Sequence, residues 1–206
     1  MWTHQIPAFT AAGFRFLAYN RRAEGSALDE LEAFAARLAP DRFHLVGTAA
    51  GGIVAFDYAL SHPGRLRSLV VANSIVGVQD EEYLEMTRRL RPAPEFNAIP
   101  AEIRELGPAY RATNAEGLAR WKSLAQHVKP LATRNRITFA ALEGIKTPTL
   151  LITGDADLYT PPPVLRLLSA RFPNCASLVI AECGHSAFWE QPEQFNRAVL
   201  DFISKH

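Results

Sequence analysis

The chain has 206 residues, enough for one domain or for one domain with an insertion. Hydrophobic residues make up 48% of the sequence and charged residues 21%, which excludes extended disorder, a collagen-like repeat and a coiled coil. Lysine and arginine number 22 against 21 for aspartate and glutamate, so the balance also excludes a dedicated nucleic-acid-binding or anionic-membrane-binding protein.

The sequence predicts neither a membrane span nor a metal site. No apolar stretch approaches the ~18 residues that cross a bilayer, and residues 1–7 lack the charged and apolar blocks of a signal peptide. Cys175 and Cys183 are too few for a disulfide framework or a zinc site. No glycine-rich motif for a dinucleotide or a phosphate is present. We therefore expect a cytoplasmic protein with no cofactor, no metal and no membrane or nucleic-acid partner.

Short apolar runs alternate with helical patterns, which is typical of a parallel sheet covered by helices on both faces. Helices are predicted after Ser26, which with Asp29 suggests a capping box, and over residues 52–61, 162–170 and 195–202. The fold class is therefore α/β, with a doubly wound, mostly parallel sheet of about five strands. The predicted strands are residues 14–19, 43–46, 69–72, 150–153 and 178–181.

Residues 78–135 break this alternation, because they are rich in charge and proline and predict no strand. Helices are predicted over 81–90 and 116–127, each with an apolar stripe. We interpret this segment as a helical cap inserted into a core formed by residues 1–77 and 136–206. The stripes either pack on the core or line a substrate pocket, and Trp121 is the side chain that we most expect in the pocket.

Glycines stand two residues before and two residues after Ala49, where the buried run 43–46 turns into a predicted helix. Such spacing relieves crowding at a sharp turn and lets the middle side chain project from the edge of the sheet. The segment resembles the nucleophile elbow, G-x-S-x-G, of the α/β-hydrolase superfamily. The resemblance implies that the backbone N–H of Ala50 is one donor of an oxyanion hole.

The resemblance continues along essentially the whole chain, through the turn 19–22, the helix exit 60–63 and the strand 69–73. It implies that Asp157, three residues after a glycine, is the catalytic acid and that His185 is the catalytic histidine. The order of nucleophile, acid and histidine is the one this superfamily requires. Asp155 remains an alternative acid, although an aspartate at a turn commonly binds the loop backbone.

The sequence departs from the family pattern at Ala49, which has a methyl group where the nucleophilic oxygen should be. No acyl-enzyme can form at that position. Thr48 is a poor substitute because adjacent side chains near a strand end point to opposite faces, and Cys183 is a further, weaker alternative. The alanine fits either a natural loss of the serine or an inactivating substitution.

A second departure lies at the start, where Trp2 and Gln5 resemble residues that follow the third strand of the superfamily. The resemblance implies that the opening strands, and the loop with the second oxyanion donor, are absent from this sequence. The strands at 14–19 and 43–46 must then pair directly or leave a slot for another chain. Unpaired edges promote association, so we expect a homo-oligomer through an exposed sheet edge.

The resemblance implies a hydrolase-fold protein whose ligand or substrate is a small molecule, such as an ester, a lactone or a compound with a cleavable C–C bond. Catalysis is in question because of Ala49. Two alternatives stay open: a non-catalytic small-molecule-binding protein on the same fold, and cofactor-free acid/base chemistry by His185 and Asp157.

Overall fold

The computed structural model describes residues 2–20, 26–38, 41–91, 95–124 and 131–206. Within these residues the strands form one parallel sheet of four, in the spatial order β1-β2-β3-β4. The strands are β1 (Phe43–Thr48), β2 (Leu66–Ala72), β3 (Thr149–Gly154) and β4 (Cys175–Ile180).

Helices cover both faces of this sheet, so the central strands are apolar throughout rather than alternating. Leu69 and Val71 of β2 join a cluster with α2, α3 and α9, while Val70 and Ala72 join a second cluster with α1 and α11. The predicted doubly wound α/β fold is therefore confirmed. The helices are α1 (Gln5–Ala11), α2 (Ala27–Leu38), α3 (Ala50–Ser61), α4 (Glu81–Leu90), α5 (Ala101–Glu105), α6 (Pro108–Thr113), α7 (Ala115–Ser123), α8 (Phe139–Glu143), α9 (Pro162–Ser169), α10 (Ala187–Glu190) and α11 (Pro192–Ile203), with a 3-10 helix at Phe96–Ala98.

The predicted strand at residues 14–19 is wrong, and the number of strands in the described part of the chain is four rather than about five. These residues form no ladder with β1; both segments line one cavity of about 630 Å³, and the rings of Phe14 and His44 lie 5.9 Å apart, centroid to centroid. A strand is defined by its hydrogen-bonded ladder, and an apolar sequence alone does not supply the partner. Direct pairing of the two segments is thus excluded for the described residues.

The inserted segment is helical where the structure describes it. Helix α4 has the predicted bounds, and α7 begins one residue before the predicted helix 116–127, whose residues 125–127 fall outside the described part of the chain. Ser26 Oγ accepts a hydrogen bond from Leu28 N at 3.2 Å at the start of α2. Pro40, a residue type that ends helices, lies outside the described residues, as do residues 21 and 22 of the predicted turn. The division into core and cap remains an interpretation.

No helix in the described ranges combines the length and the apolar character that a bilayer-crossing segment needs.

Candidate active site

The turn between β1 and α3 places Ala49 in a rarely populated backbone conformation, with φ 49° and ψ −122°. Its backbone N–H donates to Ala72 O of β2 at 3.0 Å, which fixes the turn to the sheet. A Cβ at Gly47 would lie 2.5 Å from Gly51 O, and one at Gly52 would lie 2.7 Å from Ser74 Oγ. The tight packing therefore requires glycine at 47 and 52, whereas a Cβ at Gly51 would meet nothing within 4 Å.

Ala49 is half-buried and Ala50, the first residue of α3, is exposed. The first N–H groups of a helix have no partner within the helix, so Ala50 N–H is a free donor by position. A non-glycine residue in such a conformation costs on the order of 1–3 kcal/mol. The methyl group of Ala49 offers no nucleophilic atom that would account for keeping this strain.

Asp157 and His185 form a buried hydrogen-bonded pair at the carboxyl ends of the strands. His185 Nδ1 lies 2.9 Å from Asp157 Oδ1 and 3.0 Å from Oδ2, and the two residues are 7% and 1% exposed. Because Nδ1 is engaged by the carboxylate, Nε2 is the ring nitrogen left for other chemistry. A carboxylate on Nδ1 fixes the imidazole tautomer and stabilises the imidazolium, as in catalytic triads.

The carboxylate of Asp157 has four further partners besides the histidine. Oδ1 accepts from Tyr159 N and Thr160 N at 2.8 and 2.9 Å, and Oδ2 accepts from Asn73 Nδ2 and Thr153 Oγ1, both at 3.0 Å. Burial on its own would raise the pKa of Asp157, but the His185 charge and these hydrogen bonds lower it to about 2. The acid therefore stays ionised inside the protein.

The carboxylate of the alternative acid, Asp155, binds the backbone of the loop before His185. Its two carboxylate oxygens each accept a backbone hydrogen bond at 3.0 Å, from Glu182 N and from Cys183 N. Asp155 thus orders the loop that leads to His185, as a turn aspartate does.

His185 is held from several sides. Its backbone N–H donates to Glu105 O at 2.9 Å, and its ring lies 4.4 Å from the ring of Tyr159, centroid to centroid. Burial on its own would lower the pKa of His185, but the charge and hydrogen bond of Asp157 outweigh it and raise the pKa above its ordinary value. The histidine is therefore a stronger base than a free imidazole.

Sequence reasoning missed the role of Asn73, which follows β2 directly. Its backbone has φ 50°, and its Nδ2 donates to Gly184 O at 3.1 Å as well as to Asp157. Its Oδ1 accepts from Ala187 N at 3.3 Å. The signal that could have identified it is a polar residue at the carboxyl end of a buried strand, next to the strand that carries the acid.

Glu190 was also missed as a structural element of this site. This buried carboxylate accepts backbone hydrogen bonds from Gly107, Gly184 and Ser186 at 2.6, 3.0 and 3.1 Å. These hydrogen bonds on their own would lower the pKa of Glu190, but burial outweighs them and raises the pKa above its ordinary value. A carboxylate at the end of the apolar run Ala-Phe-Trp was the available signal, because a buried acid needs several donors.

Two other predicted residues pack in the interior. Trp121 is 6% exposed and belongs to the apolar cluster that also contains Leu106 and Trp189, so its contact with a substrate remains a prediction. Cys183 is fully buried, and burial raises the pKa of its thiol. A buried thiol with a raised pKa is a poor nucleophile.

A sequence profile described as "Alpha/beta hydrolase family" matches residues 1–198. The chain belongs to the alpha/beta hydrolase family. This family member is 32% identical over 182 residues to a 2-hydroxy-6-oxononadienedioate/2-hydroxy-6-oxononatrienedioate hydrolase of Burkholderia vietnamiensis (strain G4 / LMG 22486), covering 80% of this chain and 63% of that protein. The chain thus spans less than two thirds of the length of that relative.

Another relative of this alpha/beta hydrolase is a pimeloyl-(acyl-carrier protein) methyl ester esterase of Aeromonas hydrophila subsp. hydrophila, 28% identical, covering 82% of this chain and 73% of that protein. A solved structure of a thermophilic esterase from Thermogutta terrifontis superposes with a TM-score of 0.71 at 24% identity, covering 88% of this chain and 74% of the esterase. At that identity the superposition supports the fold alone. The predicted membership of the superfamily is confirmed.

Proposed function

We propose that this alpha/beta hydrolase binds a small carbonyl compound, an ester, a lactone or a ketone with a cleavable C–C bond, and hydrolyses it by general-base catalysis without an acyl-enzyme. The observation that carries the proposal is the buried His185–Asp157 pair, with Nδ1 at 2.9 Å from the carboxylate. The relatives named above, a hydrolase of 2-hydroxy-6-oxononadienedioate and a methyl ester esterase, support a carbonyl substrate.

In the proposed reaction, His185 Nε2 accepts a proton from water while the water oxygen attacks the carbonyl carbon of the substrate. Asp157 stabilises the imidazolium that results. Ala50 N–H donates to the oxygen of the tetrahedral intermediate. The imidazolium then returns its proton to the leaving oxygen or carbon. One water is consumed, and the reaction releases an acid and a second product, or a single hydroxy acid when the substrate is a lactone.

A second candidate is a non-catalytic binding protein on the same fold, which the methyl group of Ala49 favours because it removes the nucleophile of the family. Both candidates bind the small molecule, but only the hydrolase turns it over. Two expectations remain predictions from the sequence: a homo-oligomer through a sheet edge and a cytoplasmic location. Sedimentation equilibrium would test the homo-oligomer.

The test compares the wild-type chain with His185→Gln, using His206→Gln at the exposed end of the chain as the matched control. The assays are hydrolysis of p-nitrophenyl acetate, of γ-butyrolactone and of 2-hydroxy-6-oxononadienedioate, with binding of each followed separately by calorimetry. General-base catalysis predicts a ~100- to 10,000-fold loss of turnover in His185→Gln, and full activity in the control. Binding without turnover by the wild type would select the binding protein, and equal turnover in all three proteins would overturn the role of His185.

A further inference from the structure

The backbone around His185 is fixed by hydrogen bonds on both sides of its Cα atom. Its own N–H donates to Glu105 O at 2.9 Å, and the N–H groups of Gly184 and Ser186 donate to the carboxylate of Glu190 at 3.0 and 3.1 Å. The N–H groups of His185 and Ser186 belong to the two peptide groups that flank this Cα atom. Because both peptide groups are bound, the direction of the Cα–Cβ bond of His185 is set.

Glu190 connects the loop that carries His185 with the inserted segment. Its Oε2 accepts from Gly107 N at 2.6 Å, two residues after the Glu105 carbonyl that binds His185. Glu190 is 6% exposed, and its Oε1 also accepts from Cys183 Sγ at 4.0 Å. A buried carboxylate needs several donors, and here the donors come from two segments that are distant in the sequence. One side chain therefore holds the inserted segment against the histidine loop.

The two segments approach each other at glycines. A Cβ at Gly184 would lie 2.4 Å from Gly107 N, and a Cβ at Gly107 would lie 2.9 Å from Gly184 N and 3.0 Å from Glu190 Oε2. Gly107 has φ −64° and ψ 153°, a conformation that other residues adopt without strain. The close contact, and not the backbone conformation, therefore requires glycine at 107.

The same part of the inserted segment supports the ring of His185. Arg104 Nη1 donates to Tyr159 Oη at 2.5 Å, and the Tyr159 ring lies 4.4 Å from the His185 ring, centroid to centroid. Asp157 holds the ring at Nδ1. Residues 104–107 thus constrain the backbone of His185 directly and its ring through Tyr159.

The charge of Glu190 is a smaller influence on His185 than that of Asp157. Burial on its own would lower the pKa of His185, and the charge and hydrogen bond of Asp157 contribute more to raising it than the charges of Glu105 and Glu190 do. A catalytic base displaced by about 1 Å can lose about 100-fold in rate. The main contribution of Glu190 is therefore geometric.

We propose that Glu190 is a positioning residue for His185, and that its bond to Gly107 makes the orientation of the imidazole depend on the inserted segment. Glu190 acts through the peptide groups next to His185 and does not touch the reacting atoms. A ligand that moves residues 104–107 therefore also moves the imidazole. The effect on turnover rests on the proposed function, whereas the effect on the orientation of the ring does not.

Proton NMR of the 206-residue chain, with its histidines labelled with ¹⁵N, measures the orientation through the Nδ1–H signal of His185. We expect a downfield signal in the wild type, because this proton lies in a buried hydrogen bond to Asp157. In Glu190→Gln and in Gly107→Ala we expect the signal to move upfield and the proton to exchange with water about 10-fold or more rapidly. Glu193→Gln, exposed on α11, is the matched control and should keep the wild-type signal.

The two variants separate geometry from charge. Gly107→Ala keeps the charge of Glu190 and displaces only the contact between the two segments, so a loss of charge cannot explain a change that both variants share. If Glu190→Gln does not fold, Gly107→Ala decides alone. An unchanged Nδ1–H signal in the folded variants would overturn the positioning role. A changed signal in Glu190→Gln alone would overturn the dependence on the inserted segment.

Turnover of the three substrates named above is a second readout. We expect Glu190→Gln to lower kcat about 10- to 100-fold and to change KM by less than about 3-fold, because a displaced base slows proton transfer without altering binding. An unchanged kcat would overturn the positioning role. A wild type that hydrolyses none of the three would instead overturn the proposed function, and the NMR comparison would still decide whether Glu190 positions His185.

Discussion

Asn73 Nδ2 donates a hydrogen bond to Asp157 Oδ2 at 3.0 Å and another to Gly184 O at 3.1 Å. One amide at the end of β2 therefore connects the acid, which follows β3, with the loop that carries His185. The two strands are parallel neighbours, so their carboxyl ends lie at the same edge of the sheet. The geometry of the acid and the histidine thus depends on a third residue that comes from a different strand.

The pKa of His185 should fall when the Asp157 carboxylate is neutralised. In Asp157→Asn the charge that stabilises the imidazolium is lost, while burial, which disfavours the charged form, remains. We expect the pKa of His185 to move from above its ordinary value to below it, as followed by NMR of the imidazole nitrogens. Asp155→Asn is the control and should leave the titration unchanged. An equal fall in both variants would show that the acid was misassigned.

The stability of the protein in acid should depend on the same carboxylate. Its pKa, about 2 in the folded protein, is below the ordinary value of 3.8, so the unfolded chain binds the proton first as the pH falls. The stabilisation is present above about pH 4 and is lost as the pH approaches 2, with a magnitude of about 2 kcal/mol. Urea titrations across this range should show the loss in the wild type and a smaller one in Asp157→Asn. An equal loss of stability in the wild type and in Asp157→Asn would show that Asp157 is not its source.

Ala49→Gly should stabilise the protein. Glycine adopts the positive φ of this turn without the strain that alanine carries, and the gain exceeds the greater entropy of a glycine in the unfolded chain by about 1 kcal/mol. Chemical denaturation measures the difference. Ala50→Gly, in the first turn of α3, is the control and should destabilise by up to about 1 kcal/mol. Destabilisation at both positions would mean that the turn is not strained.

Ala49→Ser should make the protein reactive toward a fluorophosphonate probe, because it puts a hydroxyl at the predicted nucleophile position. Turnover of a p-nitrophenyl ester should stay ~100- to 1,000-fold below that of a family member with two oxyanion donors, since Ala50 N–H is the one donor that the resemblance assigns to this chain. Mass spectrometry detects the adduct. Ala50→Ser places the hydroxyl one residue further on and should remain unlabelled. Full esterase activity in Ala49→Ser would show that the oxyanion hole is complete.

Glu190→Gln should destabilise the loop around His185. The two carboxylate oxygens accept from backbone N–H groups and from the Cys183 thiol, so the amide NH₂ of glutamine would face a donor and leave at least one buried donor unpaired. We expect a loss of about 1–3 kcal/mol in the free energy of unfolding. Glu193→Gln, exposed on α11, should change it by less than about 1 kcal/mol. A neutral Glu190→Gln would mean that Glu190 is protonated in the folded state.

The amino-acid pattern by itself determined the class of the fold and the positions of four strands. Apolar runs such as 150–153, bounded by turns and separated by helical patterns, favour burial in a sheet covered on both faces, and β3 is buried at every residue, whereas Val179 of the edge strand β4 is 40% exposed. The order of the elbow, Asp157 and His185 was readable because each follows a strand in the chain.

Only the tertiary structure decided what lies next to residues 14–19 and which side chains hold Asp157 in place. An apolar run becomes a strand only if a neighbour completes its hydrogen bonds, and that neighbour is distant in sequence, so the cavity beside β1 could not be read from the run itself. Asn73 and Glu190 act through contacts that span 84 and 83 residues. No local pattern encodes such pairings: the first arises because parallel strands bring their carboxyl ends together, and the second because the tertiary fold brings Gly107, before α6, against the end of α10.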